Sequence, residues 1–138
     1  MNGLDRKSGG KTLLREQCYV CTMTAAGAAP PDGKSAEAMR AEHHDYLVDL
    51  ERRGLLFAAG PFVDENGERH GAGMIIIRAK TRAEAETIAL AEPYTKAGMR
   101  TMQLTPWQRN EGTLDLRLRL ADGVLEIDRR IYSLQAPG

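Results

Sequence analysis

Two histidines stand side by side in "AEHHDYLVDLERRGLLFAAGP", residues 41 to 61, and a carboxylate, Glu92, stands immediately before a proline in "AEPYTKAGM". An imidazole paired with a carboxylate can take and give protons near neutral pH, because the acid fixes one ring nitrogen and leaves the other for chemistry. Which imidazole does so depends on where each one points. From Ser35, an N-cap residue type, Met39, His43, Tyr46, Leu47 and Leu50 recur at helical spacing and define one apolar stripe. His43 lies on that stripe, whereas His44 is turned by about 100° towards the polar arc beside Asp45. The inward imidazole is therefore His43, and His44 with Asp45 reads as a solvated surface pair.

A second helix is announced by the T-x-x-E capping box Thr81 to Glu84, and Ala85, Ile88, Ala89 and Glu92 share its inner face. Glu92 closes that face, so the two stripes bring an acid and a base towards one another. A bland reading stands beside this one. A histidine on an apolar face is commonly a core residue hydrogen-bonded to some acceptor, and a carboxylate before proline commonly just ends a helix. Tyr46 and Tyr94 can supply rings and hydroxyls to a pocket or simply pack. Gly60-Pro61 either lets a ligand approach the backbone or stops a strand.

Other motifs are weaker. Cys18 and Cys21 form a CxxC, but "REQCYVCTMTA" reads as a strand, which turns the two thiols to opposite sides. Nothing completes a zinc ligand set at the right spacing, and no metal or cofactor is expected. "SGGKT" at 8 to 12 imitates the end of a phosphate loop without its first glycine or a preceding strand. His70, in a glycine-flanked connection, is expected to face solvent.

The elements that must position His43 and Glu92 follow from the remaining pattern. The opening sixteen residues are polar and aperiodic, and are expected to lack fixed structure. "QCYVCTMTA" is a strand, then comes the His43 helix, closed by Gly54 at its C′ position. "LLFAAGP" reads as a short buried strand stopped at Gly60-Pro61, and Asn66-Gly67 turns the chain into "MIIIRA". Four consecutive apolar residues, Met74 to Ile77, imply a strand covered on both faces. The second helix and a strand over "MRTMQLTPW", on which Trp107 packs where a tail departs, complete the order β-α-β-β-α-β. That order is ferredoxin-like, α+β, with both helices on one face of a four-stranded antiparallel sheet. The other face then needs a cover, and a second copy is the simplest one. After residue 112, "TLDLRLRL" alternates strictly and Asp122-Gly123 turns it into "VLEID", a C-terminal β-hairpin arm over 113 to 138.

The 138 residues suit one domain over 17 to 112 plus this arm. Nineteen basic residues balance nineteen acidic ones, which disfavours nucleic acid and anionic membranes as partners. No apolar run reaches membrane-spanning length and no signal-peptide centre precedes the first strand, so a soluble cytoplasmic protein is expected.

"HHDYLVDLERRGLLFAAGP", "EPYTKAGM" and "TPWQRNEG" together resemble the YciI-like (YCII-related) family over about residues 17 to 112. Counting back from Gly60-Pro61 places the family's helix-borne histidine at His43, and Glu92 stands where the family has aspartate. The resemblance implies a dimeric α+β barrel with a His-carboxylate pair, His43 and Glu92, in a pocket. From the residues themselves, Tyr46, Gly60, Pro61 and Tyr94 are the candidate substrate-binding residues. "WQRNEG" and the arm resemble an extended subgroup. Two functions fit: a cofactor-free enzyme doing acid-base chemistry of the isomerase, lyase or hydrolase type on a small organic substrate, or a non-catalytic dimeric module that binds a small molecule.

Overall fold

The computed structural model describes residues 4–8, 11–113, 115–127 and 130–135. Leu4–Ser8 (β1) and Lys11–Leu14 (β2) pair antiparallel as a hairpin. Glu16–Ala25 (β3) leads into the helix Ala36–Arg52 (α1), then Leu56–Val63 (β4) and Arg69–Arg78 (β5). Arg82–Leu90 (α2), the short helix Pro93–Lys96 (α3) and Arg100–Arg109 (β6) follow. β3 to β6 form one sheet in the order β4-β5-β3-β6, with every neighbouring pair antiparallel. This is the expected ferredoxin-like arrangement, with the first strand of the unit central and the second at one edge.

Strand alternation decides what the helices cover. Across β3, β5 and β6 the register sets Tyr19 opposite Ile77 and Cys21 opposite both Ile75 and Leu104. These residues, with Met23, pack with Ala85 and Ala89 of α2 into one buried cluster, and Leu47 of α1 joins its margin. Small residues on α2 allow the helix to lie close to the sheet, while β-branched Ile75 and Ile77 fill the pleat. Both helices start as their sequences dictate. Ser35 Oγ accepts from the Ala38 N–H at 3.0 Å, and Thr81 Oγ1 accepts from the Glu84 N–H at 3.2 Å. Glu84 reaches back to the Lys80 N–H at 3.0 Å, one residue earlier than a strict capping box requires.

Met74 and Ile76 point to the second sheet face, as the four-residue apolar run demands. At one end of that face Phe57 meets Trp107 edge-on at 6.1 Å between centroids. Arg78 and Arg109 lie over the Phe57 ring and both pair with Glu16, at 2.5 and 2.8 Å. Trp107 therefore packs against β4 at the end of the sheet.

Several expectations change. The opening segment carries β1 and β2, although its polar, glycine-bearing sequence shows no period. β4 is neither buried nor stopped at Gly60-Pro61: it runs to Val63 and is largely exposed. The physical reason is its place at the sheet edge, where proline's missing N–H removes no ladder bond. The C-terminal arm has three strands instead of two, Leu116–Arg119 (β7), Val124–Ile127 (β8) and Arg130–Ser133 (β9), paired in that order. Leu114, the first leucine of the alternation, and Asp128 lie outside the described residues, as do Gly9 and Gly10 of "SGGKT". Ser8 and Lys11 of that motif pair across the β1–β2 hairpin, and Lys11 opens a strand where a phosphate loop would lead into a helix.

Candidate functional site

His43 and Glu92 meet. The ring Nδ1 lies 2.6 Å from Glu92 Oε1, between residues 49 positions apart in the chain. Glu92 is fully buried, and the His43 side chain is 19% exposed. The position of Glu92 differs from the sequence reading. α2 ends at Leu90, and Glu92 is extended at φ −61°, ψ 128°, serving as N-cap of α3 instead of closing the face of α2. Pro93 explains the break: it cannot continue a helix as donor but suits the first position of a new one.

As a cap, Glu92 collects donors. Its Oε2 accepts from the Thr95 N–H and from Thr95 Oγ1–H, both at 2.9 Å, and its Oε1 accepts from the Tyr94 N–H at 3.1 Å in addition to His43. Burial raises a carboxyl pKa and is the largest single influence here. The hydrogen bonds from His43, Thr95 and Tyr94 together outweigh it and hold Glu92 below the ordinary carboxylate range. Glu92 is thus an anion at neutral pH and can only accept, so Nδ1 carries the hydrogen and Nε2 is the ring nitrogen left for proton transfer. The methylene that distinguishes glutamate from the family's aspartate is accommodated, with both oxygens engaged.

His43 lines a hollow of about 220 Å³ at the end of the sheet where β3 finishes and β5 and β6 begin. Gly60, Pro61 and Tyr94 line it too, as the sequence reading places them. The Tyr94 ring stands 5.0 Å from the His43 ring, and the Arg100 guanidinium lies 4.1 Å over the other aromatic centroid of this stack, that of Tyr94. Tyr46 does not line the hollow. Its hydroxyl donates to the Ile88 carbonyl at 2.7 Å, tying α1 to α2, and burial raises its pKa. An inward tyrosine one turn from His43 is thereby a structural strut, because α2 lies closer to it than the cavity does.

The three charged side chains that line the hollow, Arg40, Arg69 and Arg100, escaped the sequence reading. Arg40 precedes His43 by three positions, a helical-face spacing that offered a signal. Arg69 and Arg100 open separate strands, and no local pattern announces that their ends converge.

His44 is exposed, and His70 pairs with Asp64 at 2.7 Å in the exposed β4–β5 hairpin. Asp64, Glu68 and His70 hold ligand-type atoms within 4.8 Å of one another, and none of the three lines the hollow. Cys18 and Cys21 are buried, free thiols. Burial, then the nearby Glu92 charge, pushes the Cys21 thiol up to about 11, and burial likewise raises Cys18, which keeps both as inert thiols at neutral pH. Among the described residues no helix is long and apolar enough to cross a membrane.

The YCII-related domain model matches residues 18–108, and the chain belongs to that family. Among solved structures, a similar chain is 5-chloro-2-hydroxyhydroquinone dehydrochlorinase (TftG) from Burkholderia phenoliruptrix AC1100, in complex with 2,5-dihydroxybenzoquinone. It is 16% identical, with a TM-score of 0.49 over 65% of this chain and 92% of that one. No curated protein matches.

Proposed function

We propose that this chain is a small-molecule enzyme in which His43 Nε2 acts as general base and then general acid, with Glu92 holding the ring and stabilising its charged form. The observation that carries this reading is the 2.6 Å contact between Nδ1 and a buried carboxylate that four donors keep ionised. Such an acid fixes both the tautomer and the orientation of the imidazole, which is what a proton-transfer group requires. Isomerisation, elimination and hydrolysis all use that step, and none of the residues invoked needs a cofactor to perform it. We also read the protein as a cytoplasmic homodimer. The exposed leucines Leu116 and Leu118, which a single chain leaves uncovered, support the dimer.

The test is proton exchange. Small carbon acids are incubated in D2O with the full chain and with His43→Gln, and deuterium incorporation is followed by NMR. At least one compound is expected to exchange with the native chain and to lose about 10² to 10⁴ in rate with His43→Gln. Equal exchange by both proteins for every compound that binds would leave the non-catalytic binding module as the reading. Sedimentation equilibrium of the full chain tests the dimer.

A further inference from the structure

The charge around the hollow is one-sided. Arg40, Arg69 and Arg100 line it and no aspartate or glutamate does, in a chain whose basic and acidic residues are equal in number. Glu92 is held by His43 and does not itself line the hollow; it is fully buried, and its oxygens are already engaged by four donors. The arginines reach the site from three elements: Arg40 one turn before His43 on α1, Arg69 at the start of β5 and Arg100 at the start of β6. No ion pair engages any of them among the described residues. Arg100 is further fixed by its seat on the Tyr94 ring, which itself stands against His43.

The rest of the wall is apolar, with Met23, Leu47, Pro61 and Ile75. The backbone of Gly60 is open to close approach. A Cβ at Gly73 would meet the Gly60 carbonyl oxygen at 3.0 Å, whereas one at Gly60 would meet nothing within 4 Å. Positive charge on an apolar floor suits an organic ion better than inorganic phosphate, because guanidinium forks match carboxylate oxygens while the carbon skeleton buries against the wall.

We propose that the substrate of this site is a small organic carboxylate, held through its charge by Arg100, Arg69 and Arg40 and presented with its acidic hydrogen towards His43 Nε2. This rests on the acid-base reading for the role of His43 but not for the binding itself. In proton abstraction the hydrogen passes to Nε2 and the electron pair it leaves spreads onto substrate oxygen, where the same guanidiniums stabilise it.

Sodium benzoate serves as the charged probe and benzamide, the same ring without the charge, as its neutral partner. Binding to the full chain is followed by NMR shifts of residues lining the hollow, in the millimolar range, near about 1 mM. Benzoate is expected to shift Tyr94 and His43 and to bind at least about tenfold more tightly than benzamide; Arg100→Gln and Arg69→Gln should each weaken benzoate by about tenfold without moving the thermal midpoint. Arg100→Lys, which keeps the charge and loses the fork, should fall between. No shift with benzoate, equal binding of benzamide, stronger binding of inorganic phosphate, or undiminished benzoate binding by both glutamine variants would each overturn the proposal. His43→Gln separates the two readings. Benzoate binding retained in that variant, whatever happens to proton exchange, upholds the anion site, whereas loss of exchange reports on the base alone.

Discussion

Among the described residues stand two histidine-carboxylate pairs of almost equal length, His43–Glu92 at 2.6 Å and His70–Asp64 at 2.7 Å. Their surroundings differ completely. His70 is 64% exposed on a hairpin, and Asp64 lies beside it in solvent; Glu92 is sealed beneath α3. Both carboxyls sit below the ordinary range, for different reasons. At Asp64 the hydrogen bond from His70 is the largest influence, with the Glu68 and Asn66 N–H groups adding to it. At Glu92 burial pushes the other way and must be overcome. Distance alone thus says nothing about function. What separates the pairs is whether removing one partner strands the other away from water.

That contrast can be broken most sharply by truncation. Glu92→Ala removes the cap of α3 and leaves the Tyr94 and Thr95 N–H groups without their acceptor, a loss of about 3 kcal/mol by chemical denaturation. His70→Ala is expected to leave the denaturation midpoint where it is. Equal losses from both substitutions would mean that burial does not distinguish the pairs.

Acid comes next. Because the folded Glu92 carboxyl titrates below its ordinary value of 4.5, its contribution is present above that pH and disappears as pH falls through the lower folded value. The acid limb of the stability curve should therefore begin below about pH 4.5 and be shallower in Glu92→Gln. An unchanged limb would show that the carboxyl is not held down by its donors. The smallest effect is that of salt. Raising sodium chloride to about 1 M shortens the screening length to about 3 Å, which should loosen the exposed His70–Asp64 pair, seen as a change in the NMR chemical shifts of the His70 ring, and leave those of the His43 ring in place.

Much of the fold was legible because apolar periodicity reports burial directly. Ile75 and Ile77 alternate with Met74 and Ile76, and the Met39-to-Leu50 stripe marks the inner face of α1, so strand, helix and facing direction followed from spacing. β1 and β2 were not legible, since their polar, glycine-bearing sequence carries no apolar period. β4 was misjudged because Gly60-Pro61 is a stop signal inside a sheet and harmless at its edge, and edge position is a property of topology. The arm teaches the same lesson. Leu116 and Leu118 alternate as cleanly as the core isoleucines, yet they are exposed in a single chain. β9 had no alternation long enough to announce it.

The site divides in the same way. Its imidazole was fixed by sequence, because one residue of helical rotation separates His43 from His44 and only one side of α1 can face the sheet. Gly60, Pro61 and Tyr94 were open in the sequence between a pocket and ordinary packing or strand-ending roles, and only the fold puts them on the wall of the hollow. Tyr46 lies on the same helical stripe as His43, but stripe membership fixes only the side of the helix, and Ile88 claimed its hydroxyl.

The linear chain settled local matters: which face of each helix is apolar, where Ser35 and Thr81 begin helices, and that Pro93 interrupts one. These depend on neighbours within a few residues, whose geometry the peptide bond fixes. Only the folded chain decided that Glu92 reaches His43 across 49 positions as the cap of a separate helix, and that three arginines from α1, β5 and β6 crowd one hollow without an acid. Those meetings depend on how the sheet orders its strands, because residues distant in the chain become neighbours only through the packing of whole elements.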